Sequence, residues 1–275
     1  MKYRILRDGI KILDKDDFDI VDILYCGQIF SFEKQDEKYV VYSLDKRCDV
    51  VEEDKGYRLI TNDVAYFENF FDLKTDYSLI KNELACYPLL KEPIKFGKGI
   101  RILKQNIFET LISFIVSANN NIKRIQLILN RLRNMLGKDM GDFHAFPTRQ
   151  ALLDVDENFF KEIGAGYRAP YIYKVLRQVD EATLDDWQKL PTSQLRNKLI
   201  ELAGVGPKVA DCVLLFGYGR KDVFPVDTWI AKMFNKYYSP LENREEIRRQ
   251  LLAQFKDLSG YAQQYLFYFM RSADG

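Results

Sequence analysis

The sequence predicts an α+β fold: an N-terminal antiparallel sheet with a few helices, followed by a larger helical part. Three observations carry this. Residues 1–63 fall into short β-branched and aromatic runs separated by turn residues. From Asp63 onward the apolar residues recur at helical spacing. Charge divides with the pattern, since residues 1–95 carry 15 Lys+Arg against 20 Asp+Glu and residues 96–275 carry 26 against 20. The overall net charge of +1 hides this asymmetry, and a basic second part is the footprint of a nucleic-acid surface.

In chain order, KYRILRDGIKIL alternates around an Asp8-Gly9 turn, and KYVVYSL and YRLIT read as further strands. Between them, DFDIVDILY reads as a helix capped by an aspartate and broken at Gly27, with a strand resuming over Ile29–Phe32. Asn62 or Asp63 caps a helix at VAYFENFFDL, and Thr75 or Asp76 caps one at YSLIKNELAC. The proline-containing stretch from Tyr87 to Leu103 reads as a connector, which divides the chain into residues 1–95 and 96–275. The second part opens on an apolar helix, Ile107–Ala118, expected at its centre. IKRIQLILNRLRNML follows, with Ile125, Ile128, Leu129 and Leu132 on one face. Further helices are predicted at Arg149–Leu153, Glu157–Ile163, Tyr167–Val179, Thr192–Leu202, Pro207–Phe216, Thr228–Tyr237, Arg244–Phe255 and Gly260–Arg271.

The composition excludes several classes. With 47% hydrophobic and 29% charged residues the chain reads as a soluble globular protein. Its four cysteines match no zinc or iron–sulfur spacing and His144 is the only histidine, so no side-chain metal site is expected. Scattered cysteines suit reduced thiols of an intracellular protein. The first residues turn charged too early for a signal peptide and no apolar run reaches membrane-spanning length. An intracellular monomer with no membrane contact is expected.

The most informative stretch is Leu199–Ile230, with a helix–hairpin–helix over residues 199–216. Gly204 and Gly206 allow close approach of backbone to a ligand. Pro207 suits a first helical turn, and the N–H groups there favour a phosphate. Lys208 stands at that helix start. As a nucleophile it would have to be neutral; read alone, it is an ordinary solvated lysine. Asp227 opens DTWIAKMF and reads alone as a helix cap, a duty compatible with stabilising a developing positive charge.

This block resembles the helix–hairpin–helix, Gly/Pro…Asp (HhH-GPD) superfamily of DNA base-excision glycosylases. It is most similar to the 8-oxoguanine DNA glycosylase branch, which has a lysine directly after a GVGxK hairpin and an aspartate in PVD 19 residues on, as from Lys208 to Asp227 here. SANNNIKRI (Ser117–Ile125), GAGYRA (Gly164–Ala169), GYAQQYLF (Gly260–Phe267) and CGQIFSF (Cys26–Phe32) resemble further segments of that branch, in the same order. The resemblance implies that Lys208 attacks C1′ of the damaged nucleotide and forms a Schiff base, with Asp227 in support. It implies that the Gly27 carbonyl accepts the N7–H that distinguishes 8-oxoguanine from guanine. Cys212 and Phe267 would sandwich the flipped base and Gln263 would bond its Watson–Crick edge. Asn119 would fill the hole left in the duplex, Tyr167 would wedge beside it, and Arg124 and Arg168 would bond the estranged cytosine. The hairpin would grip a phosphate through Gly204 and Gly206, and the carbonyls of Ile200, Leu202 and Val205 are candidates for a structural monovalent cation. No other cofactor is implied. The partner would be double-stranded DNA containing 8-oxoguanine.

The chain departs from the animal and yeast pattern at Trp229, where a histidine is usual, and at Tyr261, where a tryptophan is usual. It also ends soon after GYAQQYLF. These departures lead to the expectation of a compact bacterial or archaeal form. Two rivals stay open: an alkylated-base glycosylase of the same fold using water as nucleophile, and a catalytically silent DNA-binding hairpin.

Overall fold

The computed structural model of the chain describes residues 1–273. Six strands form one antiparallel sheet: β1 (Tyr3–Leu6), β2 (Gly9–Ile12), β3 (Phe32–Gln35), β4 (Lys38–Ser43), β5 (Lys46–Glu53) and β6 (Gly56–Ile60), in the spatial order β1-β2-β6-β5-β4-β3. Register puts Ile10 beside Leu59 and Leu59 beside Val50, a row of fully buried side chains on one face. The helices Ile20–Tyr25 and Val64–Phe70 cover that face with Ile20, Ile23, Leu24, Phe67 and Phe70. Each such side chain contributes about 1.5–3 kcal/mol by leaving water.

The expected Asp8-Gly9 turn lies one residue earlier. Leu6 pairs with Gly9, leaving Arg7 and Asp8 as the loop. Gly9 belongs to the sheet instead, where a Cβ would lie 1.9 Å from the Leu59 carbonyl oxygen. The strand expected over Ile29–Phe32 starts only at Phe32. The longest strand, β5, was not foreseen, because KRCDVVEE is dominated by charge. Its alternation is nonetheless regular: Cys48 and Val50 face the core, while Asp49 pairs outward with Lys38 and Arg47.

The helices begin largely where a short polar side chain can satisfy the first free N–H groups. Asp19, Asp63, Asp76, Asn106 and Asn121 all cap in this way. The helix at Thr192–Ile200 starts without a side-chain cap. Neither Thr192 nor Ser193 caps it; Pro191 precedes it in an extended conformation and Thr192 is its first residue. The Tyr87–Leu103 connector is also partly helical, with a 3-10 turn at Pro88–Leu90 and a helix at Lys91–Phe96. Pro93 is tolerated there because it lies in the first turn, where its missing N–H has no helical partner. A further helix, Glu181–Trp187, is capped by Asp180 and had no clear apolar stripe to announce it.

The central helix Ile107–Ser117 is buried along its whole length from Ile107 to Val116, as its nearly all-apolar sequence requires. It carries Glu109 inward, where the carboxylate accepts from the Leu44 N–H at 3.0 Å and the Ser31 hydroxyl at 2.9 Å and so ties sheet to helices. The helix Pro207–Phe216 packs against the central helix and against Thr192–Ile200. Asp211, on its buried side, accepts from Arg196 Nε and Arg248 Nε, both at 2.8 Å, and joins three helices beneath the hairpin. Removing one partner of a buried ionic cluster leaves the others uncompensated. Asp211→Ala is therefore expected to destabilise the protein by about 3–5 kcal/mol. A urea-unfolding series checks this, and a loss under about 1 kcal/mol would show that the cluster is not holding the hairpin.

Candidate active site and DNA-facing cleft

The hairpin between Thr192–Ile200 and Pro207–Phe216 uses its two glycines for different reasons. Gly204 has φ +78°, and a Cβ there would lie 2.6 Å from the Tyr171 side chain, so it is needed for the turn itself. Gly206 has nothing within 4 Å of its would-be Cβ and faces open space at the helix start. Only the second matches the expectation of room for a ligand. Val205 is buried and donates to the Leu202 carbonyl at 3.1 Å. The carbonyls of Ile200 and Val205 accept no hydrogen bond among the described residues. This leaves all three candidate cation ligands with a free lone pair.

Lys208 extends from the second residue of the hairpin helix to place Nζ 5.3 Å from the centre of the Phe114 ring. No salt bridge holds it among the described residues. One turn on, Cys212 is buried, and burial pushes its thiol up to about 11, so it stays protonated and serves as wall and not as nucleophile. Asp227 caps the helix Thr228–Tyr237, its Oδ1 accepting from the Ile230 N–H at 2.9 Å. Burial raises its carboxyl above the ordinary range, while the Ile230 N–H and the Lys208 charge oppose that shift. The capping duty foreseen for Asp227 is thus real, and the same carboxylate lines the cavity that holds Lys208.

That cavity is lined by Gly27, Phe114, Lys208, Cys212, Phe216, Pro225, Asp227, Gln263, Gln264 and Phe267. All four residues expected to hold a base are here, together with both expected catalytic residues. Gln263 is 5% exposed and its side-chain carbonyl oxygen has no partner among the described residues. An unpaired buried acceptor is costly, and a ligand donor entering the cavity would satisfy it. The free space is only about 20 Å³, room for about one water. Phe267 accounts for the constriction, since its ring reaches within 2.9 Å of where a Gly27 Cβ would stand. A purine entering here must displace that ring.

A wider cleft of about 700 Å³ opens over this cavity and extends to Asn119. Asn119 has φ +49°, a left-handed conformation that asparagine tolerates better than most residues. The loop is clamped from below: Arg168 Nε donates to the Ala118 carbonyl at 2.7 Å and its Nη2 to the Asn119 carbonyl at 2.8 Å, while the Tyr167 hydroxyl donates to Ala118 at 3.0 Å. Arg168 is 3% exposed, so its guanidinium is engaged with the loop. Arg124 is exposed and donates to the Gly164 carbonyl at 3.2 Å. Asn119 therefore shares the cleft with Lys208, whereas Arg124, Tyr167 and Arg168 form a neighbouring group behind its loop.

Comparison with known proteins agrees with this arrangement. Residues 11–111 match the N-terminal domain of 8-oxoguanine DNA glycosylase, and residues 112–256 match the HhH-GPD superfamily of base excision DNA repair proteins. The chain belongs to the HhH-GPD superfamily, in its 8-oxoguanine DNA glycosylase branch. It is 30% identical to a probable N-glycosylase/DNA lyase of Methanothermobacter thermautotrophicus, over 73% of this chain and 72% of that protein. It is 37% identical to the N-glycosylase/DNA lyase of Saccharomyces cerevisiae, over 55% of this chain and 45% of the yeast protein. The structure superposes with a TM-score of 0.92, at 34% identity and covering 100% and 99% of the two chains, on the Clostridium acetobutylicum 8-oxoguanine glycosylase/lyase bound to duplex DNA with cytosine opposite 8-oxoguanine.

Several residues of this HhH-GPD site carried no separate signal in the sequence. Phe114 is one apolar residue among many on the central helix, and Gln264 is a second glutamine beside the first. Arg244 and Arg271 line the cleft from helix ends, where a basic residue is usually solvated. The electrostatics predict a measurable order. The Asp227 carboxyl should titrate above the usual value of about 3.9, and Lys208→Met should move it further up by removing a stabilising charge. Carboxyl-carbon NMR titration checks both, and an unchanged midpoint in the variant would show that the two groups do not interact.

Proposed function

We propose that the chain is a bifunctional DNA glycosylase that excises 8-oxoguanine from duplex DNA and then nicks the abasic strand by β-elimination. The observation that carries this reading is the cavity that unites a lysine without an ion pair among the described residues, a half-buried carboxylate and the unpartnered amide oxygen of Gln263. The N-glycosylase/DNA lyase names of the relatives support it.

In this reading the target nucleotide leaves the stack at a cost of a few kcal/mol, offset by phosphate contacts at Gly204 and Gly206 and by Asn119 entering the vacated space. Tyr167 wedges beside Asn119, Arg124 faces the partner base, and Arg168 reaches it only by releasing the Ala118 and Asn119 carbonyls. The base enters between Cys212 and Phe267, donates its N7–H to the Gly27 carbonyl and bonds Gln263. The Lys208 amine then attacks C1′. The bond from C1′ to the base nitrogen breaks, the base leaves with a proton, and the half-buried Asp227 carboxylate stabilises the positive charge that develops on the sugar. Loss of the lysine's protons and opening of the sugar ring give the Schiff base. Removal of a C2′ proton expels the 3′ phosphate, and water releases the lysine.

The carbonyls of Ile200, Leu202 and Val205 would hold a monovalent cation that stiffens the hairpin against the phosphate. Action as an intracellular monomer of bacterial or archaeal type belongs to the same proposal. Lys208, free of ion pairs, favours lysine chemistry over the water-based alkylated-base rival. The cavity beside the hairpin, opening to the wider cleft, argues against a silent binding module.

Lys208→Gln is expected to bind 8-oxoguanine duplex yet form no covalent adduct on borohydride reduction, whereas the parent protein is trapped. Adduct formation by the variant would overturn the assignment of the nucleophile. Asp227→Asn should slow single-turnover excision by at least about a hundredfold, in the range seen when one electrostatic group is removed from an active site. Near-normal turnover would leave Asp227 as a helix cap alone.

A further inference from the structure

The turn after the helix Ile20–Tyr25 carries four consecutive carbonyls, and the structure treats one of them differently. The Tyr25 carbonyl accepts from Arg271 Nη2. The Cys26 carbonyl accepts from Gln264 Nε2 at 2.7 Å, in a fully buried contact. The Gln28 carbonyl accepts from Gln105 Nε2 at 2.8 Å. The Gly27 carbonyl between them accepts nothing among the described residues. Gln28 is itself buried and locked, its amide donating to the Ile23 and Arg101 carbonyls at 3.0 and 2.7 Å and accepting from the Leu103 N–H at 2.8 Å.

Both Gln264 and Arg271 come from the C-terminal helix Ser259–Ala273, which also carries Gln263 and Phe267. Arg271 lies against the turn and the pocket at once. Its Nη1 would be 3.0 Å from a Gly27 Cβ, and its guanidinium carbon is 5.2 Å from the Phe267 ring centre. A peptide flip at Gly27 is otherwise easy, because glycine crosses between backbone regions with little penalty. Bonds to the carbonyls on both sides remove that freedom and leave one acceptor unsatisfied.

We infer that Gln264 and Arg271 are positioning residues for lesion discrimination: they hold the Tyr25–Gln28 turn from the C-terminal helix so that the Gly27 carbonyl alone is left to accept the N7–H of 8-oxoguanine. This rests on the proposed function and adds to it a source for the selectivity. Guanine carries an acceptor at N7, so a fixed carbonyl there repels it, whereas a mobile carbonyl can turn away. Loosening the turn therefore harms discrimination more than general DNA binding.

The test measures duplex affinity in the non-excising Lys208→Gln background, with 8-oxoguanine, guanine or a stable abasic analogue at the same position. Adding Gln264→Met or Arg271→Met is expected to lower the preference for 8-oxoguanine over guanine about tenfold each, equivalent to about 1.4 kcal/mol. Affinity for the abasic analogue should fall by clearly less than affinity for 8-oxoguanine, since both side chains also line the cavity or its cleft. Arg271→Lys, which retains a donor for the Tyr25 carbonyl, should restore most of the preference lost in Arg271→Met, so the Arg271 pair decides the matter even if Gln264→Met folds poorly. A preference unchanged in both methionine variants would overturn the inference, as would equal weakening toward all three duplexes. Absence of any preference in the Lys208→Gln parent would instead count against the proposed function.

Discussion

The half-buried carboxylate of Asp227 and the amine of Lys208, without an ion-pair partner among the described residues, set the terms for the rest of the structure. In the proposed reaction this carboxylate acts charged, yet its partial burial works against the charge. The fold meets that conflict by making Asp227 a helix cap, so the Ile230 N–H stabilises the ionised form. Lys208 adds its charge from the facing helix without forming a contact ion pair, which would tie up the amine. Capping and chemistry are therefore one arrangement seen from two sides.

Holding these two groups in register depends on elements far from either. The central helix Ile107–Ser117 supplies the Phe114 ring beneath Lys208 and, through Glu109, fastens the sheet to the helical part. Asp211 anchors the hairpin helix to Arg196 and Arg248. The C-terminal helix contributes Gln263 and Phe267 to the pocket and reaches across to the Gly27 turn through Gln264. The Gly27 turn, the central helix, the hairpin helix and the C-terminal helix thus meet at a cavity to which each contributes a wall.

The narrowness of that cavity fits a site that admits its ligand by rearrangement. Phe267 stands where a base would lie, and Gln263 keeps an acceptor without a partner. Base entry would push the ring aside and satisfy the amide, so part of the unpairing cost is recovered inside the pocket. The loop at Asn119 is prepared differently. Its left-handed backbone is clamped by Arg168 and Tyr167 before any DNA is present, which lowers the ordering cost on binding.

Much of this was legible in the sequence because the signals are local. Strand alternation, Asp and Asn caps, and the GVGPK hairpin followed by PVD depend on residues close in the chain, and it is the family resemblance of those motifs, with the distant segments, that gives Lys208 and Asp227 their expected chemistry. β5 was not legible, since its charged residues face outward and mask the alternation. The helix inside the Tyr87–Leu103 connector was hidden by prolines that sit where a helix can accept them. Gln264, Arg244 and Arg271 could not be assigned either, because a glutamine or arginine at a helix surface looks the same whether it meets solvent or another segment. Only tertiary packing brings the Tyr25–Gln28 turn under Gln264 and Arg271, 238 and 246 residues away, and only there does the free carbonyl of Gly27 become visible. The sequence by itself determined which groups could react; long-range packing decided which are buried, which are spoken for, and which remain free.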